Sequence, residues 1–256
     1  MKKAMLFSGG FDSTYLLNYL MKHEDELTIL SIKSNVLSKG KVIREENARK
    51  RILDYLKAKY YNCKLTELEV EVNFNHTESY GLAQPLMWLP FMYLLVSDEY
   101  ELNLSYICDD QAIIHMADFK TILETASHFQ TDKSKVIVKF PLRYFYKRDI
   151  VMRLIHQDKF LFENATSCEN IDDEDFCGEC VPCKCLRSTL IDLICDNEVS
   201  DEDKDYCRKY LADKFNTKIT CEPYTQETIN LVEENEEERI ESKQIKRKKD
   251  ENECNK

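Results

Sequence analysis

Met5-Leu6-Phe7-Ser8-Gly9-Gly10-Phe11-Asp12-Ser13-Thr14 is a short apolar run that breaks into a Ser-Gly-Gly turn and feeds an amphipathic helix beginning near Asp12. Glycines let a backbone turn tightly and bring its N–H groups close to an anion, and a helix N-terminus adds partial positive charge and unpaired donors. The stretch therefore reads as a phosphate cradle, with Ser8, Ser13 and Thr14 as further hydroxyl donors. No Lys follows the glycines, which separates it from the Walker-type loop. A plain strand-to-helix turn with Asp12 as N-cap is the simpler alternative. Against it, the motif ends the first strand, where an α/β fold places its ligand.

Working outward, strand-like and helix-like stretches alternate. Lys3–Phe7 reads as a strand, Asp12–Lys22 as a helix with Leu16, Leu17 and Leu20 on one face, and Leu27–Ser31 as a second strand. A charged helix is predicted over Val42–Tyr60. In Leu65–Val72, Leu68, Val70 and Val72 alternate with Glu67, Glu69 and Glu71, the pattern of a strand with one wet face. A helix around Leu86–Tyr100, a strand at Leu104–Cys108, a helix near Met116–His128 and a strand at Lys135–Val138 complete the pattern. The expected fold class is α/β, a parallel sheet with helices on both faces. Helices are predicted at Lys147–Gln157, Val181–Cys195 and Glu202–Phe215. The expected organisation is a nucleotide-binding α/β domain over 1–145, a helical metal-binding lobe over 146–223 and a charged tail over 224–256.

The net charge is −11 over 256 residues. The tail from Glu233 contributes nine acids and seven bases, only −2 of that total, so the body is itself acidic. Such a balance argues against a nucleic-acid partner, which would call for a basic face. The most apolar segment, Pro85 to Val96, is too short to span a membrane and contains Pro90. With no secretory signal pattern, the sequence predicts a cytoplasmic protein.

There are eleven cysteines, and without a secretion signal they read as thiols or metal ligands before disulfides. Cys168, Cys177, Cys180 and Cys183 follow a C-x8-C-x2-C-x2-C spacing around Gly178, with Cys185 as the odd one out. Four soft thiolates around a tight turn suit a closed tetrahedral Zn²⁺ site, and an iron–sulfur cluster is the alternative. Cys108, at a predicted strand end, reads as a small buried residue. His115 and His128 read as helix-surface residues.

The SGGFDS string resembles the PP-loop of ATP pyrophosphatases. Together with Thr166-Ser167-Cys168 and Cys177-Gly178-Glu179-Cys180-x2-Cys183, it resembles the 7-cyano-7-deazaguanine synthase family (QueC). Phe140-Pro141-Leu142, with Lys147 opening the next helix, is similar to that family's Pro-Leu and Lys signature. The resemblance runs from about Lys3 to Arg187. It implies a PP-loop fold in which Leu6, Phe7, Ser8, Gly9, Gly10, Asp12, Ser13 and Thr14 bind ATP, with Ser8, Asp12 and Ser13 as the catalytic set. It also implies Mg²⁺ beside Asp12, a small-molecule deazapurine substrate, ammonia as nitrogen donor, and a homodimer. The implied reaction adenylates a carboxylate, then forms an amide and a nitrile. Asp109, Asp110 and Lys147 are substrate-side candidates from their places at the carboxyl ends of strands.

Tyr106-Ile107-Cys108-Asp109-Asp110-Gln111-Ala112-Ile113-Ile114-His115 departs from the family's substrate loop, and the family's His is missing around Val42–Glu46. Three alternatives therefore stay open. One is a relative that couples the deazapurine to another acceptor, such as a protein in a bacterial anti-phage system. A second is a tRNA-modifying PP-loop enzyme, which would require a reactive cysteine such as Cys108. The third is a zinc-stabilised nucleotide-binding module without catalysis.

Overall fold

A computed structural model describes residues 1–34, 39–72, 100–126, 136–170 and 176–215. Five strands, β1 (Lys2–Leu6), β2 (Glu26–Ser34), β3 (Lys64–Val72), β4 (Tyr100–Asn103) and β5 (Ile137–Lys139), form one sheet in the order β3-β2-β1-β4-β5. Every pairing is parallel. The helices are α1 (Phe11–His23), α2 (Lys39–Lys59), α3 (Met116–Ala126), α4 (Lys147–Gln157), α5 (Lys159–Asn164), α6 (Val181–Cys195) and α7 (Asp201–Phe215), with a 3-10 turn over Gln111–His115 before α3.

Successive strand residues enter opposite cores, so the central strands are apolar on both faces. Met5, Leu27 and Ile29 join one cluster with α1, α2 and the helices from α4 onward. Ala4, Leu30, Ile32 and Leu102 join the other, covered by Phe119 and Leu123 of α3. In β3, Leu68 and Val70 pack inward while the alternate glutamates pair with α2 and β2: Glu67 with Lys57, and Glu69 with Lys33 and Arg49. On the first face the cluster is continuous across the chain, with Phe162 of α5 5.4 Å from Phe11 and 4.7 Å from Tyr210. That continuity fixes the orientation of α4 and α6 against the end of β1.

Two local readings differ from the structure. The strand expected at Leu104–Cys108 lies earlier, at Tyr100–Asn103. Leu104 and Ile107 are buried; Leu104 N still donates to Lys139 O of β5 at 3.0 Å, and beyond it the chain turns away. Ile107 N donates to Asp110 Oδ2 at 3.2 Å and Cys108 N to Phe145 O at 2.7 Å, so Ile107 is buried in a turn and not in a strand. The second is α5, absent from the sequence reading; its six residues are too few for a visible period, and Asp158 caps it by accepting from Leu161 N at 3.3 Å. The helix expected at Leu86–Tyr100 lies outside the described residues except Tyr100, which opens β4; His128 and the tail from 224 also lie outside them.

Candidate functional site

From β1 the sheet grows one way through β2 and β3 and the other way through β4 and β5. The segments leaving β1 and β4 therefore diverge, and a crevice opens at the carboxyl ends of the two strands, where open α/β sheets hold ligands. A cavity of about 930 Å³ lies there, at the upper end of the range for small-molecule sites. Its walls are the Ser-Gly-Gly turn, the Tyr106–Asp110 turn, the first turns of α2, α4 and α6, and the Thr166–Glu169 segment.

The Ser-Gly-Gly turn is built by close approach. Gly9 has φ +85°, and a Cβ on it would meet Glu45 O at 3.1 Å, Ala48 Cβ at 3.2 Å and Arg49 Cγ at 3.3 Å. Both the left-handed backbone and the contact with α2 exclude a side chain. Gly9→Ala should therefore cost about 2 kcal/mol or more, read as a lowered urea midpoint with an unchanged slope. Gly10 is the N-cap of α1 and supplies no capping side chain, so the N–H groups of the first turn have no side-chain acceptor from the cap. Ser8 Oγ lies 3.1 Å from Ser13 Oγ, which donates to Gly10 O at 3.1 Å.

Ser8, Gly10 and Asp12 line the cavity. Behind them, Phe7 N donates to Leu30 O at 2.8 Å, and Thr14 is fully buried with an unpartnered hydroxyl. Leu6, Phe7, Gly9, Ser13 and Thr14 thus shape the turn, whereas Ser8, Gly10 and Asp12 face the space.

The substrate-side candidates converge on the same place. Asp12 Oδ2 pairs with Lys147 Nζ at 2.5 Å, while Asp12 Oδ1 is buried without a hydrogen-bond partner. Lys147 opens α4, and its amide is capped by both Asp109 oxygens at 3.2 Å. Burial opposes its charge, but Asp12 and then Asp110 hold the ammonium above the usual lysine range. Burial, reinforced by the charge of Asp12, raises the Asp110 carboxyl. A half-buried cation flanked by carboxylates, one with an orphaned oxygen, is arranged to exchange partners with an incoming anion and its counter-ion.

The four cysteines also meet. Their sulfurs all lie within 4.8 Å of one another, with Cys177 and Cys183 4.0 Å apart. A tetrahedral ion with bonds of about 2.3 Å holds its sulfurs about 3.8 Å apart, so the residues fit one ion after a slight contraction. Gly178, at φ +76°, makes the turn between Cys177 and Cys180. Cys177 accepts from Cys180 N at 3.3 Å and Cys168 from Cys177 N at 3.4 Å. Burial would raise the Cys177 thiol, but the amides of Cys180 and Glu179 outweigh it and bring it down to about 7. Cys180 is the N-cap of α6 and Cys183 lies in its first turn, where the helix dipole favours thiolate, but burial pushes the Cys183 and Cys168 thiols up.

Sequence reasoning missed the remaining walls. Lys41 and Glu45 of α2 line the cavity, as do His115 and Phe119; nothing in their spacing marked them. Burial raises the Glu45 carboxyl, opposed by Lys41 and Arg49. Ser167, quoted above only as part of a cysteine motif, lines the cavity with a buried, unpartnered hydroxyl. Cys185 also faces the cavity, whereas Cys108 is not among the described lining residues and its thiol meets the Tyr146 hydroxyl.

Residues 108–193 match the sequence model of the family described as queuosine biosynthesis protein QueC. The matched segment holds Asp109, Asp110, Lys147 and all four clustered cysteines; the Ser-Gly-Gly turn lies before it. No curated protein matches the chain. Among solved structures, the chain is similar to a predicted subunit of a tRNA methyltransferase from Methanocaldococcus jannaschii, at 15% identity and TM-score 0.36, over 59% of this chain and 72% of that one. It is also similar to the U34-tRNA thiolase NcsA from Methanococcus maripaludis with its 4Fe-4S cluster, at 14% and 0.39, over 87% and 75%. A third is the NMN synthetase from Francisella tularensis, at 13% and 0.39, over 86% and 89%.

Proposed function

We propose that this chain, a divergent QueC-like protein, is an ATP-using enzyme of the PP-loop class that adenylates a carboxylate and passes the acyl group to nitrogen. The observation that carries the reading is the buried, unpartnered Asp12 Oδ1, beside the uncapped first turn of α1 at the sheet's switch point. Such a pairing of anion-binding amides with an orphaned carboxylate oxygen calls for a polyphosphate and its cation.

A carboxylate is a poor electrophile. In the proposed reaction its oxygen attacks the α-phosphorus of ATP and pyrophosphate departs; the α1 amides and Lys147 stabilise the charge that builds on the leaving oxygens. Ammonia then attacks the acyl carbon and AMP leaves, giving an amide. The amide oxygen then attacks the α-phosphorus of a second ATP with departure of pyrophosphate, and loss of AMP with two N–H protons gives the nitrile. Asp12 would hold Mg²⁺, which supplies charge neutralisation on the phosphates. The cysteine cluster would hold Zn²⁺ in a structural role. What speaks for zinc over a multi-iron cluster, whose cysteines point outward from different irons, is that all four sulfurs lie within 4.8 Å of one another, close to the spacing around a single tetrahedral ion. Metal analysis together with the absence of charge-transfer absorption near 400 nm tests that assignment.

The deciding experiment is mass spectrometry of the products from 7-carboxy-7-deazaguanine, ATP, Mg²⁺ and ammonium. Nitrile with AMP is the expected result, and no AMP with any acceptor would reduce the protein to a binding module. AMP without nitrile would favour a second reading, transfer to a protein amine. What speaks for it is that Ile114 and Val181, both lining the cavity, are 75% and 76% exposed, an apolar rim suited to a macromolecular acceptor. If ATP occupies the cavity, it should also slow iodoacetamide alkylation of Cys185, and not of Cys195, by several-fold. Peptide mapping after timed quenching reads this; equal protection of both thiols, or of neither, would count against the placement.

A further inference from the structure

The segment Thr166–Asn170 belongs to both centres. Thr166 N donates to Gly9 O at 3.0 Å, and Thr166 O lies 3.5 Å from where a Cβ on Gly10 would sit. Thr166, Ser167, Cys168 and Glu169 line the nucleotide cavity, yet Cys168 is one of the four clustered thiols. Its far end is gripped by α2: Arg44, itself buried, donates through Nη2 to Cys168 O at 3.2 Å and to Asn170 O, and Lys41 pairs with Glu169 at 2.9 Å. One turn further along, α2 touches Gly9 through Glu45 O, Ala48 and Arg49. The cavity wall is thus pinned at three points: the phosphate turn, the thiolate cluster and α2.

We infer that metal and nucleotide binding are coupled through this shared wall, with Arg44 as the positioning residue. This rests on the ATP reading above. A metal on Cys168 restricts Ser167 and its neighbours, so a nucleotide meeting that wall has less ordering to impose. Linkage then requires the converse, that nucleotide tightens the metal by the same factor. Without Arg44, the Cys168 and Asn170 carbonyls lose their shared donor, and the wall is tied to the metal only through the sulfur. The four thiols keep their ligand capacity, so metal content should be retained while the coupling falls.

The test is the zinc affinity, read by equilibrium competition with a chromophoric chelator, with and without saturating MgATP. A four-cysteine zinc peptide under identical conditions measures what the triphosphate removes by chelation alone. Equilibrium dialysis establishes that MgATP is bound. The wild-type protein should hold zinc between about 5-fold and 150-fold more tightly with MgATP, the range of ordinary coupling energies. Arg44→Gln should carry one zinc per chain and lose most of that ATP dependence. If the variant does not fold, the wild-type comparison still decides. Unchanged zinc affinity with MgATP demonstrably bound would overturn the coupling and leave the ATP reading standing. No retention of MgATP in dialysis would overturn both.

Discussion

Asp12→Asn should lower pyrophosphate release by about 100-fold or more, the usual loss when one preorganised transition-state contact is removed, while the far-UV spectrum stays that of the parent. Asparagine keeps the shape of aspartate, so the hydrogen bond to Lys147 can persist, but the charge is gone. Two effects follow. The buried Oδ1 no longer offers a carboxylate oxygen to a divalent ion, and Lys147, paired with Asp12 at 2.5 Å, retains only the more distant acids. If Asp12 acts on the reacting phosphates, kcat falls and excess Mg²⁺ recovers little of it. If its role were to orient Lys147 alone, Lys147→Met should match the loss and the double variant should be no worse than either single one. Full activity in Asp12→Asn would remove the residue from the chemistry.

Cys180→Ser should lose the metal and lower Tm by about 10 °C, since a structural site contributes several kcal/mol to folding and each kcal/mol is worth about 2–4 °C in a chain of this size. Cys180 makes no side-chain capping bond at the start of α6 and serine is a good N-cap, so no cap is lost and the effect isolates the missing thiolate. The damage should spread because Leu186, Leu190, Leu193 and Ile194 of α6 lie in the same core as α1 and α4. Calorimetry and metal analysis on one sample read both effects. A fall in Tm with metal retained would place the fourth ligand elsewhere, and Cys185 is then the thiol to replace next.

The parallel sheet was legible because its signals are local. Apolar runs punctuated by a Ser-Gly-Gly turn, and the alternation of Leu68 and Val70 with glutamates, depend on neighbours within a few residues. The bounds of α4 and α6 were legible for the same reason, since amphipathic period and N-terminal chemistry mark both. The displaced β4 shows the limit: Ile107 is buried in a turn, and burial does not distinguish a ladder from a turn that follows it.

By itself, the sequence determined that a tight Ser-Gly-Gly turn follows the first strand and that four cysteines stand at metal-ligand spacing. Both are properties of short stretches, set by backbone freedom at Gly9 and Gly178 and by thiolate chemistry. Only the tertiary structure decided that the two share a wall, that Lys147 meets Asp12 across 135 residues of chain, and that Cys185 rather than Cys108 faces the cavity. Those outcomes follow from the sheet order and from one continuous core that turns α4 and α6 toward the end of β1. No local spacing encodes the meeting of segments so far apart.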